Sequence, residues 1–428
     1  MNNLKQELES RWFLHQYTHE EVFEEFNLGG KKFYFWVDCS ADSMTIWNFV
    51  ALQMAIHFML KWNKCFLLVG WATSTIWNPS WKDAERPILT EKKLLENQAW
   101  ISAQFKLLTS NVEKITWKKL DYEIVNNYDF FKNMNVLDFL KEVWRFMTVN
   151  WMMWKDIVKR RIEDPKQWIS YAEFSYMLIM WYDFYHLNKH EGVSLEVGGS
   201  DEWDGILSWI ELISKKTWND VYGVTNKLIM DASWKKFGKS EWNAIWLDKN
   251  KSTPYFMYQY FMNTVDEDIE RFLKLFTFMS ESEISEIVAN HMKTPENREW
   301  QKLLAYKVVE IIHGITEAEI ALKISNFMFW LENRIDVLSS LSNEEIETFK
   351  KAIGWFDYKW ENLFETLVNS WLEKSNSNAR NSVKSGAVYI NEEKIEDFNF
   401  EVSKNFLDNN VLLLRKGKKN FRIISLNN

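Results

Sequence analysis

The sequence predicts an α/β protein: a parallel sheet first, then a helical region and a small α+β module. Three observations carry that expectation. Two short β-rich runs, FYFWV at 33–37 and CFLLVG at 65–70, flank a stretch of helical periodicity, FVALQMAIHFMLK at 49–61. Strand, helix and strand in that order make a βαβ unit, whose strands lie parallel. Residues 256–350 are rich in long-chain helix formers with few turn signals, which reads as helices. The stretch NSNARNSVKSGAVYINEEKIEDFNFEV reads as a helix, a tight turn at Gly386 and short strands.

Between these landmarks a Gly-rich turn, VGGSDEWDGIL, follows a short apolar run near 193–197. With 428 residues there is room for two or three domains. Apolar residues make up 46% and charged residues 26%, and mean hydropathy is −0.35. This is the profile of a water-soluble globular chain, with no apolar run long enough for a membrane span. The opening MNNLKQELES has no apolar segment of the secretory kind. Cys39 and Cys65 are the only cysteines, too few for a disulfide framework or a Cys-based metal site, and a reducing cytoplasm is the expected setting. Net charge is −8, which argues against a generally basic nucleic-acid coat. Residues 371–428 differ, with ten Lys and Arg against seven Asp and Glu.

The tryptophan count is out of proportion. The chain has 25 Trp and 13 Gly, where average usage gives roughly 30 Gly. In LLVGWATSTIWNPSWKDAER (67–86), Trp71, Trp77 and Trp81 stand among turn formers, where a bulky indole is a poor choice. The expectation is that many Trp letters mark glycines, as when a cell reads UGA as glycine and the translation table reads tryptophan.

With glycine at Trp36, Trp47, Trp71, Trp77, Trp81, Trp209, Trp234 and Trp242, four ordered stretches resemble the landmarks of bacterial tyrosyl-tRNA synthetases: 34–48, 70–86, 198–212 and 234–247. Trp203 and Trp246 fall where that family itself carries tryptophan. The resemblance runs from RWFLHQ at 11–16 to the C-terminus. It implies a Rossmann-like catalytic domain with a dimer-forming insertion at 1–226. A mobile signature loop and a helical domain meeting the anticodon arm would occupy 227–345. A small RNA-binding domain, like one in a ribosomal protein, would occupy 361–428. It further implies a homodimeric tyrosine–tRNA ligase acting on L-tyrosine, ATP with Mg2+, and tRNA(Tyr), with no resident metal. The alternatives are a tryptophanyl enzyme of the same fold and a non-catalytic RNA-binding paralogue.

Activation needs the tyrosine carboxylate to attack the α-phosphorus of ATP while pyrophosphate leaves, so positioning and charge stabilisation are the main tasks. TIWN at 45–48 stands in place of the family's His-Ile-Gly-His, with Thr45 and Asn48 for the histidines and Trp47 for the glycine. It opens a helix, whose exposed N–H groups attract phosphate. KFGKS at 236–240 matches the family's Lys-Met-Ser-Lys-Ser loop. There Lys236 and Lys239 follow charge onto pyrophosphate and Ser240 hydrogen-bonds phosphate. Lys82 and Arg86 add cationic contacts. The resemblance gives Asp38, Ser40, Trp47, Asp201, Glu202 and Lys239 to ATP. It gives Tyr34 and Asp183 to the phenol hydroxyl, and Tyr176, Asn78 and Met180 to the region of the amino group. Tyr176, Met180 and Asp183 are spaced to share one helix face. This chain departs from the family at Asn78 (aspartate there), Met180 (glutamine), and Glu196 and Glu202 (glutamines). HLNKH at 186–190 lacks the glutamate of a zinc-protease motif. Arg380, Lys384 and RKGKK at 415–419 are suited to tRNA phosphates.

Overall fold

The computed structural model describes residues 3–426 except 77–88, 147, 154–155, 164–169, 228–243, 292–294, 330–333, 354, 360–361, 408 and 418–419. The chain forms two compact units, Met1–Ser252 with Phe261–Gly314, and Thr253–Tyr260 with Ile315–Asn428.

The first unit is built on a six-stranded sheet. Its strands are β1 (Leu14–Tyr17), β2 (Lys32–Asp38), β3 (Lys64–Gly70), β4 (Tyr122–Asn126), β5 (Leu195–Gly199) and β6 (Tyr222–Asn226), in the order β1-β6-β5-β2-β3-β4. The two runs read from sequence are β2 and β3. They pair in parallel from Lys32 opposite Lys64 to Asp38 opposite Gly70, with the helix Ile46–Met59 as their crossover. Twelve of that helix's residues are buried, as expected for a helix covered on every side. Helix Glu91–Thr116 then leads to β4, which pairs in parallel with β3. At that point the chain turns back: β5 joins the other edge of β2, β6 joins β5, and β1 closes the sheet antiparallel to β6. The order therefore reverses between β2 and β5. In open α/β sheets such a reversal opens a crevice at the carboxyl ends of the strands.

The N-terminal helix Leu4–Ser10 is tied down by polar contacts. Arg11, just after it, is buried. Its Nη1 donates to the carbonyls of Lys274 and Thr277 at 3.1 and 3.0 Å, and Nη2 to that of Met279 at 2.7 Å. Glu7 meets Nδ1 of the buried His57 at 2.9 Å and Lys61 Nζ at 3.3 Å.

The second unit holds helices between Ile315 and Ile353 and a five-stranded sheet. Its strands are β7 (Trp355–Asp357), β8 (Val388–Ile390), β9 (Glu393–Lys394), β10 (Val411–Lys416) and β11 (Asn420–Ser425), ordered β7-β11-β10-β8-β9. Helix Asn376–Lys384, capped by the Ser375 side chain, precedes the turn at Gly386 as the sequence predicts. The helix-rich stretch 256–350 is divided between the units, since 261–314 belongs to the first. Among the described residues no helix is long and apolar enough to cross a membrane.

Removing the Arg11 fork would strand three carbonyls. Arg11→Ala is expected to lower the unfolding free energy by about 3 kcal/mol in a urea titration. Burial alone would raise the Glu7 carboxyl, but His57, Lys61 and Arg11 hold it down at about 2. Its contribution is therefore complete above the ordinary value of 4.5 and lost as pH falls toward 2. Glu7→Gln should flatten the acid-unfolding curve in that window.

Candidate functional site

The crevice at the sheet reversal is a cleft of about 440 Å³. Val37, Asp38 and Ser40 line it from the end of β2, and Gly198, Gly199, Asp201 and Glu202 from the end of β5. Thr45, Trp47, Asn48 and Ala51 line it from the start of helix Ile46–Met59, and Asn226 and Trp246 complete the lining. A β-carbon on Gly199 would lie 2.6 Å from Asp201 Oδ1, so any other residue there would displace the Asp201 carboxylate from its place beside the cleft.

Thr45 and Asn48 close a capping box at the helix start. Asn48 Oδ1 accepts from the Thr45 amide and hydroxyl, both at 2.9 Å. The helix N-terminus is thereby fixed toward the cleft, presenting the positive end of its dipole.

Beside the cleft, behind the Trp36 indole, lies a buried polar group. Tyr34, Tyr176, Met180, Asp183 and Glu196 are all at most 5% exposed. Helix Tyr171–Glu191 presents Tyr176, Met180 and Asp183 on one face, as their spacing predicts. The Tyr176 hydroxyl donates to Asp38 Oδ2 at 3.0 Å, and Thr73 Oγ1 donates to Asp38 Oδ1 at 2.6 Å. Asn127, at the end of β4, donates Nδ2 to Asp183 Oδ2 at 3.0 Å while its own Oδ1 accepts the Ala72 amide at 2.7 Å. Asp183 Oδ1 is buried with no hydrogen-bond partner among the described residues. Glu196 takes the Trp36 Nε1–H at 3.1 Å and shares a hydrogen bond with the Tyr34 hydroxyl. Burial pushes the Asp183 and Glu196 carboxyls well above the usual carboxylate range, and the Tyr34 and Tyr176 hydroxyls above theirs. For Asp183 the Asn127 bond opposes that push.

A second network was not visible in the sequence. Gln104, from helix Glu91–Thr116, accepts the Met44 amide at 2.8 Å and donates to Ser43 Oγ at 2.8 Å. Ser43 Oγ accepts the Asp248 amide at 3.1 Å. Backbone bonds from Ile46 to Ile245 and from Leu247 to Met44, each 2.9 Å, complete the bridge. Thr45 and Trp246 are thus held side by side, as bridge partners, on the cleft wall. Gln104 and Asn127 belong to no motif, and Ser43 and Thr73, though inside the landmark stretches 34–48 and 70–86, were given no role there. Their only signal is being polar inside otherwise buried segments.

Trp77, Asn78, Trp81, Lys82, Arg86, Trp234, Lys236, Lys239, Ser240 and Trp242 lie outside the described residues. His186 packs face to face on Phe130 with centroids 4.1 Å apart, and among the described residues no cluster suited to a metal occurs. Arg380 and Lys384 are exposed on helix Asn376–Lys384 of the second unit, with Arg380 5.3 Å from the Phe364 ring.

Residues 30–329 match the family model "tRNA synthetases class I (W and Y)", and residues 345–424 match "Tyrosine--tRNA ligase SYY-like C-terminal domain". The chain is 37% identical to tyrosine–tRNA ligase 1 of Streptococcus thermophilus over 97% of both chains. It is 38% identical to the tyrosine–tRNA ligase of Streptococcus mutans over 98% of this chain and 99% of that one. Among solved structures it is similar to a C-terminally truncated mitochondrial tyrosyl-tRNA synthetase of Aspergillus nidulans. There the TM-score is 0.69 and the identity 27%, covering 77% of this chain and 95% of the other.

Replacing Gln104 with leucine would leave the Met44 amide unmet and take one of its hydrogen bonds from Ser43 Oγ. Gln104→Leu is expected to speed hydrogen exchange at the Leu247 and Asp248 amides about tenfold while exchange in β2 and β3 is unchanged.

Proposed function

The chain belongs to the class I tRNA synthetases of the tryptophan and tyrosine group, and on that premise we propose how its residues divide the work of a tyrosine–tRNA ligase. The enzyme joins L-tyrosine to tRNA(Tyr) in two steps. A tyrosine carboxylate oxygen attacks the α-phosphorus of ATP, the bond to the β-phosphate breaks, and pyrophosphate leaves. The terminal ribose of the tRNA then attacks the acyl carbon, and AMP leaves.

The observation that carries the assignment is the half-used carboxylate of Asp183. Asn127 holds Oδ2, and buried Oδ1 has no partner among the described residues. An oxygen left in that state is costly unless a ligand donates to it. A phenol hydroxyl supplies that donor and a bare phenyl ring does not, which is how a site separates tyrosine from phenylalanine. Tyr34 borders the same end. Tyr176, anchored to Asp38, together with Asn78 and Met180, faces the amino group. Glu202 adds the negative charge that Asn78 lacks, while the buried Glu196 carboxyl, held well above the usual range, serves the group through its hydrogen bonds to Trp36 and Tyr34.

ATP enters the cleft with its phosphates toward the start of helix Ile46–Met59, where Thr45 and Asn48 fix the N-terminus and the backbone at position 47 approaches the nucleotide. Asp38, Ser40, Asp201 and Glu202 take the ribose and the adenylate. Lys82, Arg86, Lys236, Lys239 and Ser240 neutralise the leaving pyrophosphate, acting mainly in the transition state. Mg2+ arrives with ATP as part of the substrate. Residues 1–226 form the catalytic domain, 227–345 the mobile loop and the region meeting the anticodon arm, and 361–428 an RNA-binding domain whose Arg380 and Lys384 meet phosphates. Two copies pair through the insertion at 128–171. Support comes from its exposed Val136 (73%), Leu137 (65%), Val149 (59%) and Tyr171 (63%), apolar surface of the kind that marks an interface. The cytoplasm is the proposed site of action.

Asp183→Asn should lower kcat/KM for tyrosine in ATP–pyrophosphate exchange by about 100-fold. An unchanged value would refute the phenol assignment. Because the ionised Asp183 is the better acceptor and burial raises its carboxyl, kcat/KM for tyrosine should fall on acidification with a midpoint above the ordinary 3.8. The Asn variant should lose that limb. Replacing Arg380 and Lys384 with alanine should weaken tRNA charging and make the salt dependence of tRNA affinity shallower by about one to two in log–log slope.

A further inference from the structure

Nine non-glycine residues among the described ones have positive φ, and five of them are tryptophan: Trp12 (65°), Trp62 (66°), Trp117 (56°), Trp218 (60°) and Trp371 (62°). All five follow the end of a helix. Trp12 and Trp371 each close a Schellman motif. The Trp12 amide donates to the Glu9 carbonyl and Phe13 to Leu8; likewise Trp371 donates to Val368 and Leu372 to Leu367. At the end of helix Asn376–Lys384 the same pair of bonds, Gly386 to Val383 and Ala387 to Ser382, closes around a glycine. Trp218 donates to Ser214 four residues back, as Gly192 donates to Asn188. The left-handed conformation is the ordinary place for glycine, and a bulky side chain there is strained. Nor do three of the indoles recover anything by packing: Trp117, Trp218 and Trp371 are 92, 91 and 86% exposed. Nothing about a solvent-facing helix end selects tryptophan, and everything about its backbone selects glycine.

We propose that positions 12, 62, 117, 218 and 371 are glycine in the protein its own cell makes, because one codon written here as tryptophan is read there as glycine. A codon reassigned at five helix ends is reassigned wherever it occurs. Among the described residues, Trp36 and Trp47, which the resemblance already places at glycine positions, are where that bears most directly on chemistry. The Trp36 indole reaches Glu196, in the group proposed to receive tyrosine, and Trp47 stands on the cleft wall at the helix N-terminus. Glycine at both clears space on each side of the point where amino acid and nucleotide must meet. This part rests on the ligase reading; the helix ends do not.

The direct test is peptide mass spectrometry on the protein purified from its natural cell. Glycine masses at positions 12, 62, 117, 218 and 371 are expected, and tryptophan masses there would overturn the proposal. A second test compares two recombinant chains, one as written and one with Trp→Gly at those five positions. Relief of five strained helix ends should raise the melting midpoint by about 10 °C, and an unchanged or lower midpoint would overturn it. Adding Trp→Gly at positions 36, 47, 71, 77, 81, 209, 234 and 242 should raise tyrosine-dependent ATP–pyrophosphate exchange well above that of the chain as written. A chain that gains stability but shows no exchange would leave the glycine assignment standing and remove the ligase reading instead.

Discussion

The reversal of strand order between β2 and β5 is the constraint on which the rest depends. From β2 to β4 the chain builds the sheet in one direction, and from β5 it builds in the other. The helices that cover the sheet therefore part at one place. There the carboxyl ends of β2 and β5 and the start of helix Ile46–Met59 meet around one opening. Backbone amides, a helix dipole and two short acidic segments converge on it without any side chain having to travel far. The buried polar group beside it adds selectivity. Asp183 is kept inside the protein by a single amide, Asn127, that satisfies only half of it.

The two halves of the site are stabilised differently. The amino-acid half is a closed network: Thr73, Asp38 and Tyr176 on one branch, Asn127 and Asp183 on another. Inside a low-dielectric interior such chains fix orientation, since every alternative leaves a polar atom unmet. The nucleotide half is a bracket. Gln104 and Ser43 join the segment at 43–46 to that at 245–248, and these set Thr45 and Trp246 side by side, as bridge partners, in the cleft lining. The bracket is built from main chain and two uncharged side chains, leaving the electrostatics of the cleft to the ligand and to the carboxylates around it.

Much of this was legible in the sequence. β2, β3 and their crossover helix follow from apolar runs and helical periodicity, and β5 from the run preceding VGGSD. Tyr176, Met180 and Asp183 follow from their spacing together with the family resemblance. The antiparallel edge strand β1, with only four residues, and the small helices of 128–163 carry too little periodicity to be read. Asn127 and Gln104 escape for another reason. Each acts on a partner 55 to 61 residues away in sequence, so neither forms a local pattern. The tryptophans show the converse case: composition signals the anomaly, and backbone φ identifies positions the resemblance did not reach.

The central claim is that a phenol completes the Asp183 carboxylate. Calorimetric titration of L-tyrosine and L-phenylalanine into the protein isolated from its natural cell tests it most directly. Saturable binding of tyrosine with no saturable heat from phenylalanine is the predicted result; equal binding of the two amino acids would contradict the account.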